Sequence, residues 1–334
     1  MHAPNPAMSD VPVDVRTALM RQYGTFSQAY SVTFQPGLSH FGDERGFIAY
    51  KMAGRTAMTL ADPVAPAQEW QRLIADFVQA FGDVVFCQSS RRVVEILAPM
   101  QFMINELGIE TTLGLADYTF RGHAKEHLRR ANNRIVKLRY DIRECSTEQL
   151  GASVAQSISS GWRKTRTMKW RSLSFLLRPI VFGDEPDVRK FYAFDADGKP
   201  VAFVFFDPVY EDGRIVGYTD QFRQRLPAAD PKVSYAITYR AIETFKREGH
   251  RWLFLGLSPM AEVHDQEFRK NWLVKRAFRF CYESALFNSL IYPLKGHHVH
   301  KGRYGGTTTP SYFAFNTLPS LPRILKLVRA CNII

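Results

Sequence analysis

Residues 191–260 carry the most restrictive pattern in the chain: two apolar runs, 200–206 (Pro-Val-Ala-Phe-Val-Phe-Phe) and 213–219 (Gly-Arg-Ile-Val-Gly-Tyr-Thr), joined by a short charged turn. Short runs rich in Val, Phe, Ile and Tyr, closed by turn residues, predict a buried antiparallel hairpin. A polar stretch, 220–230, follows. Next comes an amphipathic helix over about 234–247, with Tyr235, Ile237, Thr238, Ala241, Ile242 and Phe245 on its stripe and Gly249 as its stop. A last apolar run, 252–255, ends in Gly256-Leu257-Ser258-Pro259-Met260. Hairpin, helix, strand and broken turn make an α/β unit with room for a site at the strand end.

The remainder reads as a second such unit plus decoration. With 334 residues there is room for two units of about 100 to 150. Residues 1–18 read as a flexible tail and 30–34 as a first strand. A hairpin is predicted over 46–53 and 55–60, then a helix over 67–81 with Trp70, Leu73, Ile74, Phe77 and Val78 on one face. A strand at 84–87, a helix over 91–107 that contains Pro99 and stops at Gly108, and an extended segment at 111–120 complete this part. The next helix, within 121–139, is crowded with Lys, Arg and His around the stripe Leu128, Ala131, Ile135 and Leu138. A strand at 140–144, a helix at 147–160, a basic aromatic cluster at 162–171 and a short apolar run at 172–177 lead back to the hairpin. After it, a basic amphipathic helix is expected over 266–287, a last strand over 311–315, and an amphipathic helix from 321 with Ile324, Leu325 and Val328. The two halves repeat an order of elements without repeating sequence, which suggests an internal duplication.

A net charge of +12 suits a phosphate-rich partner or an anionic membrane, and equally a merely well-solvated surface. Arg129, Arg130, Arg134, Arg163, Lys164 and Arg166 are the candidate RNA or phosphate contacts. Four scattered cysteines give neither a disulfide framework nor a zinc signature, and no leader or membrane-spanning run is apparent. A cytoplasmic protein is expected, with at most peripheral contact at the inner face of the membrane. His297, His298 and His300 have no acidic or Cys ligand at diagnostic spacing, so no metal is assigned. No nucleophile elbow and no phosphate-binding Gly-Lys loop appear, which favours direct transfer over a covalent intermediate.

Three segments resemble the catalytic domain of bacterial phosphatidylglycerol lysyltransferases and related aminoacyl-phospholipid synthases. They are Leu255-Gly256-Leu257-Ser258-Pro259-Met260, Lys301-Gly302-Arg303-Tyr304-Gly305 and Asp220-Gln221-Phe222-Arg223. The resemblance extends over most of residues 30–316. It implies an α+β fold of two tandem acetyltransferase-like lobes with mixed, largely antiparallel sheets flanked by helices. The lobes would be 19–120 and a catalytic 140–316, joined by the basic helix 121–139 and followed by a helix at 317–334.

The resemblance further implies transfer of an aminoacyl group from aminoacyl-tRNA to a phospholipid head group or another small acceptor. Such transfer needs an oriented acceptor, a proton carrier and donors for the developing oxyanion. Asp220 is the candidate for orienting the acceptor, and His264 and Tyr218 are candidate proton carriers. Arg223, Lys301, Arg303, Gly256, Ser258 and Tyr304 are the candidate substrate-binding residues. Segment 224–230 lacks the glycines with which acetyltransferases of this architecture hold coenzyme A and contains Pro227, so no cofactor is expected. A thioester-dependent acyltransferase and a non-catalytic RNA- or membrane-binding module are the alternatives, and monomer and homodimer both stay open.

Overall fold

The computed structural model describes residues 10–164, 175–290, 292–317 and 329. Two helices, α1 (Val13–Tyr23) and α2 (Ala29–Phe34), precede any strand. The strand expected at 30–34 is therefore a helix. Ala29, Tyr30, Ser31, Val32 and Thr33 are all buried, and the Thr33 hydroxyl donates to the Ala29 carbonyl at 2.8 Å. A segment covered on every side shows no decisive period, and tertiary packing overrides its β-branched content.

β1 (Ser39–Asp43), β2 (Gly46–Ala53) and β3 (Thr56–Leu60) form a meander, and α3 (Trp70–Phe81) leads to β4 (Val84–Ser89), parallel to β3. α4 (Arg91–Leu97) is far shorter than the helix expected over 91–107. A 3₁₀ turn containing Pro99 ends it, Gln101 takes φ 65°, and β5 (Met103–Gly114) begins. Proline supplies no N–H for continuing the helix, so the apolar pattern passes from one element into another.

α5 (Glu126–Lys137) is the basic helix, and β6 (Asp141–Glu144) follows it. The helix expected at 147–160 is split at Gly151 (φ 82°) into α6 (Thr147–Leu150), held by a Ser146–Gln149 capping box, and α7 (Ala152–Lys164). β7 (Arg189–Phe194), β8 (Pro200–Glu211) and β9 (Arg214–Arg225) come next. The first part of the polar stretch, to Arg225, thus continues the second strand of the hairpin. α8 (Val233–Arg247) and β10 (Trp252–Pro259) match their expectation. The single helix expected over 266–287 begins late and breaks. α9 (Trp272–Glu283) starts where the Asn271 side chain accepts the Leu273 and Val274 N–H groups, and α10 (Ala285–Leu290) follows Ser284. α11 (Leu294–Gly302) and β11 (Thr307–Phe315) complete the described elements. The amphipathic helix expected from 321 and the basic cluster around 166–171 lie outside the described residues.

All eleven strands join one continuous sheet in the order β1-β2-β3-β4-β11-β5-β10-β9-β8-β7-β6. The fold is α+β, with a mixed sheet in which only β3/β4 and β9/β10 pair in parallel among the described strands. Each half shows the expected hairpin, helix and returning strand, and the returning strand pairs in parallel with the second strand of its hairpin. Separate lobes, however, are not drawn as a break in the sheet, because β11 inserts between β4 and β5 and β5 pairs β10.

Helices cover both faces. α5 and α8 bury Leu128, Ile135, Ile237 and Phe245 against Phe191, Val204 and Phe206, while α7 covers Tyr192, Phe203 and Phe205 on the opposite face. This is why 200–206 reads as a continuous apolar run: a strand buried on both sides keeps no polar alternation.

Candidate active site

β9 and β10 run in parallel only while Trp252, Leu253 and Phe254 face Gly217, Tyr218 and Thr219. Beyond that point β9 stays with β8 and β10 stays with β5, so the two strands part near the middle of the sheet. The candidate residues gather around this opening.

Asp220 and Arg223 lie on β9, three positions apart. In a regular strand an odd separation puts two side chains on opposite faces. Here a bulge at Gln221, between the pairs Phe206/Asp220 and Phe205/Phe222, restores them to one side. The Arg223 guanidinium donates to Asp220 Oδ2 at 2.5 Å, and the Thr238 hydroxyl from α8 donates to the same oxygen at 3.2 Å. The Asp220 carboxylate is 2% exposed, so this pairing is what allows a charge to be buried there. Arg223 Nε finds no partner among the described residues.

Lys301 comes from the last turn of α11 and donates to the Leu257 carbonyl on β10 at 2.5 Å. Burial, then the Arg223 charge, brings its pKa down to about 7 against the smaller opposing pulls of Asp220 and Glu110. Glu110 on β5 is itself held by Ser27 and Gln88, at 2.8 and 2.9 Å. Arg303 donates to the Tyr235 hydroxyl at 2.5 Å and lies across its ring. Tyr304 is fully buried, with its hydroxyl facing Thr238 short of a hydrogen bond, and burial raises its pKa. Ser258 is also fully buried, and its hydroxyl finds no partner among the described residues.

Gly256 sits at the bulge between β10 and β5 with φ +71°, and a Cβ there would stand 3.8 Å from Lys301 Nζ. Space is adequate and the backbone conformation is the obstacle. Gly256→Ala is expected to cost about 1 to 2 kcal/mol of stability by left-handed strain; an unchanged urea midpoint would contradict that conformation.

Three residues at this opening were not singled out from sequence as site residues. Tyr235 and Thr238, one turn apart on α8, looked like parts of an apolar stripe. His300 was weighed only as a metal ligand. It keeps an exposed edge yet packs deeply against Tyr235, ring centroids 4.3 Å apart, and its Nε2 finds no partner among the described residues. Burial and the neighbouring Arg223 charge hold its pKa well below the usual value, so it stays neutral. His298 turns instead to Tyr282 and Glu262, and His297 stacks on Tyr292.

Other candidates lie apart. Tyr218, two residues before Asp220 on β9, is buried with its ring stacked on Phe245 at 4.4 Å, and Phe245 itself lies seven residues, about 10 Å, along α8 from Thr238. His264 is exposed, its N–H bound to Glu106 and its carbonyl to Lys275. Of the basic residues on α5, Arg129 caps the Phe120 and Gly122 carbonyls, Arg130 pairs with Glu126 and Arg134 with Asp230. Arg163 and Lys164 end α7, exposed; Arg166 lies outside the described residues. A cleft of about 530 Å³ between α7 and the start of β8 is separate from the cluster and lined by a mixture of serines, Lys164, Lys199 and apolar side chains such as Ile158 and Leu226.

Residues 17–315 match the family described as phosphatidylglycerol lysyltransferase, C-terminal, and the chain belongs to that family. A phosphatidylglycerol lysyltransferase of Bacillus subtilis is 24% identical over 294 residues, 86% of this chain and 33% of that protein. The chain thus spans about a third of the length of the curated lysyltransferases it matches. Among solved structures, L-PGS from Bacillus licheniformis superposes with a TM-score of 0.79 at 17% identity, covering 98% of this chain and 99% of that one. The C-terminal domain (DUF2156) of an Agrobacterium fabrum protein gives 0.74 at 19% identity, covering 95% of each chain. No helix among the described residues is long and apolar enough to cross a membrane.

Proposed function

We propose that this chain transfers an aminoacyl group from aminoacyl-tRNA to a hydroxyl on a phospholipid head group. The observation that carries the reading is Lys301: a buried amine with a pKa of about 7, set beside the Asp220–Arg223 pair at the opening between β9 and β10. An amine tuned to neutral pH can both accept and return a proton.

The acceptor hydroxyl oxygen attacks the ester carbonyl carbon and gives its proton to Lys301 Nζ. The tetrahedral adduct then collapses, the bond to the ribose oxygen breaks, and that oxygen takes the proton back. The products are a new ester on the head group and an RNA with a free 3′ end. Asp220 uses one carboxylate oxygen on Arg223 and Thr238, and its other oxygen orients the acceptor. Arg303 and the unpartnered Arg223 Nε are the donors for phosphate or for the developing oxyanion. Ser258 and Tyr304 supply hydroxyl donors to the substrate.

A pyrophosphate-held thioester donor is the weaker reading. At the start of α8 the Asp230 carboxylate already accepts the Lys232 N–H at 2.8 Å, placing a negative charge where a pyrophosphate would sit.

Binding of a non-hydrolysable 3′-aminoacylamide tRNA tests the donor. Arg303→Ala is expected to weaken capture on the order of tenfold to a hundredfold, the worth of a charged hydrogen bond. Failure of the unaltered protein to bind any such analogue in a mixed pool would sink the reading.

A further inference from the structure

Five of the large apolar side chains exposed among the described residues fall on the three consecutive helices that deliver Lys301: Trp272, Leu273 and Phe280 on α9, Leu286 on α10 and Val299 on α11. Phe280 and Leu286 are 70% and 68% exposed, so most of each residue's surface faces water. α9 is not loose: Val274 packs into the core and Phe278 meets Phe313 edge-on at 6.1 Å. Its outer arc therefore stays turned to solvent. Arg276 and Arg279 lie on that arc, Arg276 against the Trp272 ring. Residues 269–303 contain eight Lys and Arg against one acidic residue, Glu283.

We infer that the outer face of α9 and α10 docks on an anionic phospholipid bilayer and so presents the α11 site to lipid; this rests on the lipid-acceptor reading. Charge complementarity selects the occupant. Trp and Phe beside aliphatic Leu and Val, bordered by Arg and Lys, match an interfacial helix, whose apolar residues enter the acyl boundary while its cations meet head-group phosphates. An RNA partner would use the cations but give the aliphatic side chains nothing to bury against. A second protein copy would bury the apolar residues but bring an equally basic surface against the first. The patch is also tied to the chemistry: the Tyr282 hydroxyl on α9 and His298 on α11 are hydrogen bonded at 2.6 Å, one turn from Lys301.

The test is co-sedimentation of the full chain, without donor, on phosphatidylglycerol-containing vesicles and on pure phosphatidylcholine vesicles. Binding to the anionic vesicles and much weaker binding to the neutral ones is expected. A Phe280→Asp, Leu286→Asp double variant should lose at least about tenfold in partition, given the apolar area withdrawn. Its aminoacyl transfer to a short-chain phospholipid dispersed as monomers should match the unaltered protein, because the site is untouched. Equal pelleting of the double variant would overturn the inference. So would failure of the unaltered chain to pellet, or self-association that the double variant abolishes. If the unaltered chain pellets but transfers nothing to short-chain lipid, the acceptor reading fails and the docking surface stands.

Discussion

Replacing Lys301 with Met is expected to slow aminoacyl transfer on the order of 10²- to 10⁴-fold, the usual worth of a positioned proton carrier. Methionine fills the buried channel of the lysine stem and removes only the amine, so the protein should still fold. The pH dependence gives a sharper readout. Burial and Arg223 favour the neutral amine, so the proton-accepting form grows as pH rises through about 7. Single-turnover rates should climb with pH and level off above that value, and the Met variant should lack the rise. Stability gives an independent check. The amine titrates near 10.4 when unfolded and at about 7 when folded, so the folded chain holds fewer protons in between. This group's contribution to stability therefore increases as pH rises from about 7 towards 10. The Met variant should lose that slope in urea unfolding measured across the window.

Asp220→Ala is expected to combine loss of transfer with a stability loss of about 3 to 5 kcal/mol, because it strands a guanidinium in a partly closed site. Arg223 is only 21% exposed at its side chain and has Asp220 as its carboxylate partner. The double change Asp220→Ala, Arg223→Met should recover most of that stability, since no buried charge is left alone. Transfer should not return. A double variant that regains transfer with its stability would mean that the pair holds the fold and takes no part in the chemistry.

Much of the unit around the opening could be read from residues 191–260. Two apolar runs, an amphipathic helix closed by Gly249 and a short run ending at Gly256 became β8, β9, α8 and β10 with modest changes of length. What local pattern concealed was set by distant contacts. Asp220 and Arg223 fell in a polar stretch set apart from the hairpin, because polar side chains seldom continue a buried strand. Their common face depends on a bulge at Gln221 that no local rule marks. Gly108 read as a helix stop; in fact it lies in β5 at φ +148°, where a Cβ would come within 2.3 Å of the Ser258 carbonyl oxygen. That constraint comes from a strand 150 residues away in sequence.

The candidate site was legible to the same degree. Lys301, Arg303 and Tyr304 follow one another on and just after α11, so a single segment pointed to all three. Tyr235 and Thr238 were concealed by their helix, where a tyrosine and a threonine at apolar positions look like ordinary core. Tyr218 drew attention as a titratable group on the right strand, but its ring belongs to the core against Phe245. His264 stands near the Pro259 turn in sequence, yet its backbone is anchored to Glu106 at the start of β5. Proximity along the chain does not carry over to a sheet whose neighbouring strands come from opposite ends of the sequence.

The most direct test of the central claim is transfer of labelled amino acids from a mixed pool of charged tRNAs to extracted phospholipid, compared between the unaltered chain and Lys301→Met. The account predicts label in the lipid fraction, abolished by ribonuclease treatment of the donor and nearly absent with the variant. Label that stays on the RNA with the folded, unaltered protein, or that reaches lipid equally well without the Lys301 amine, would contradict it.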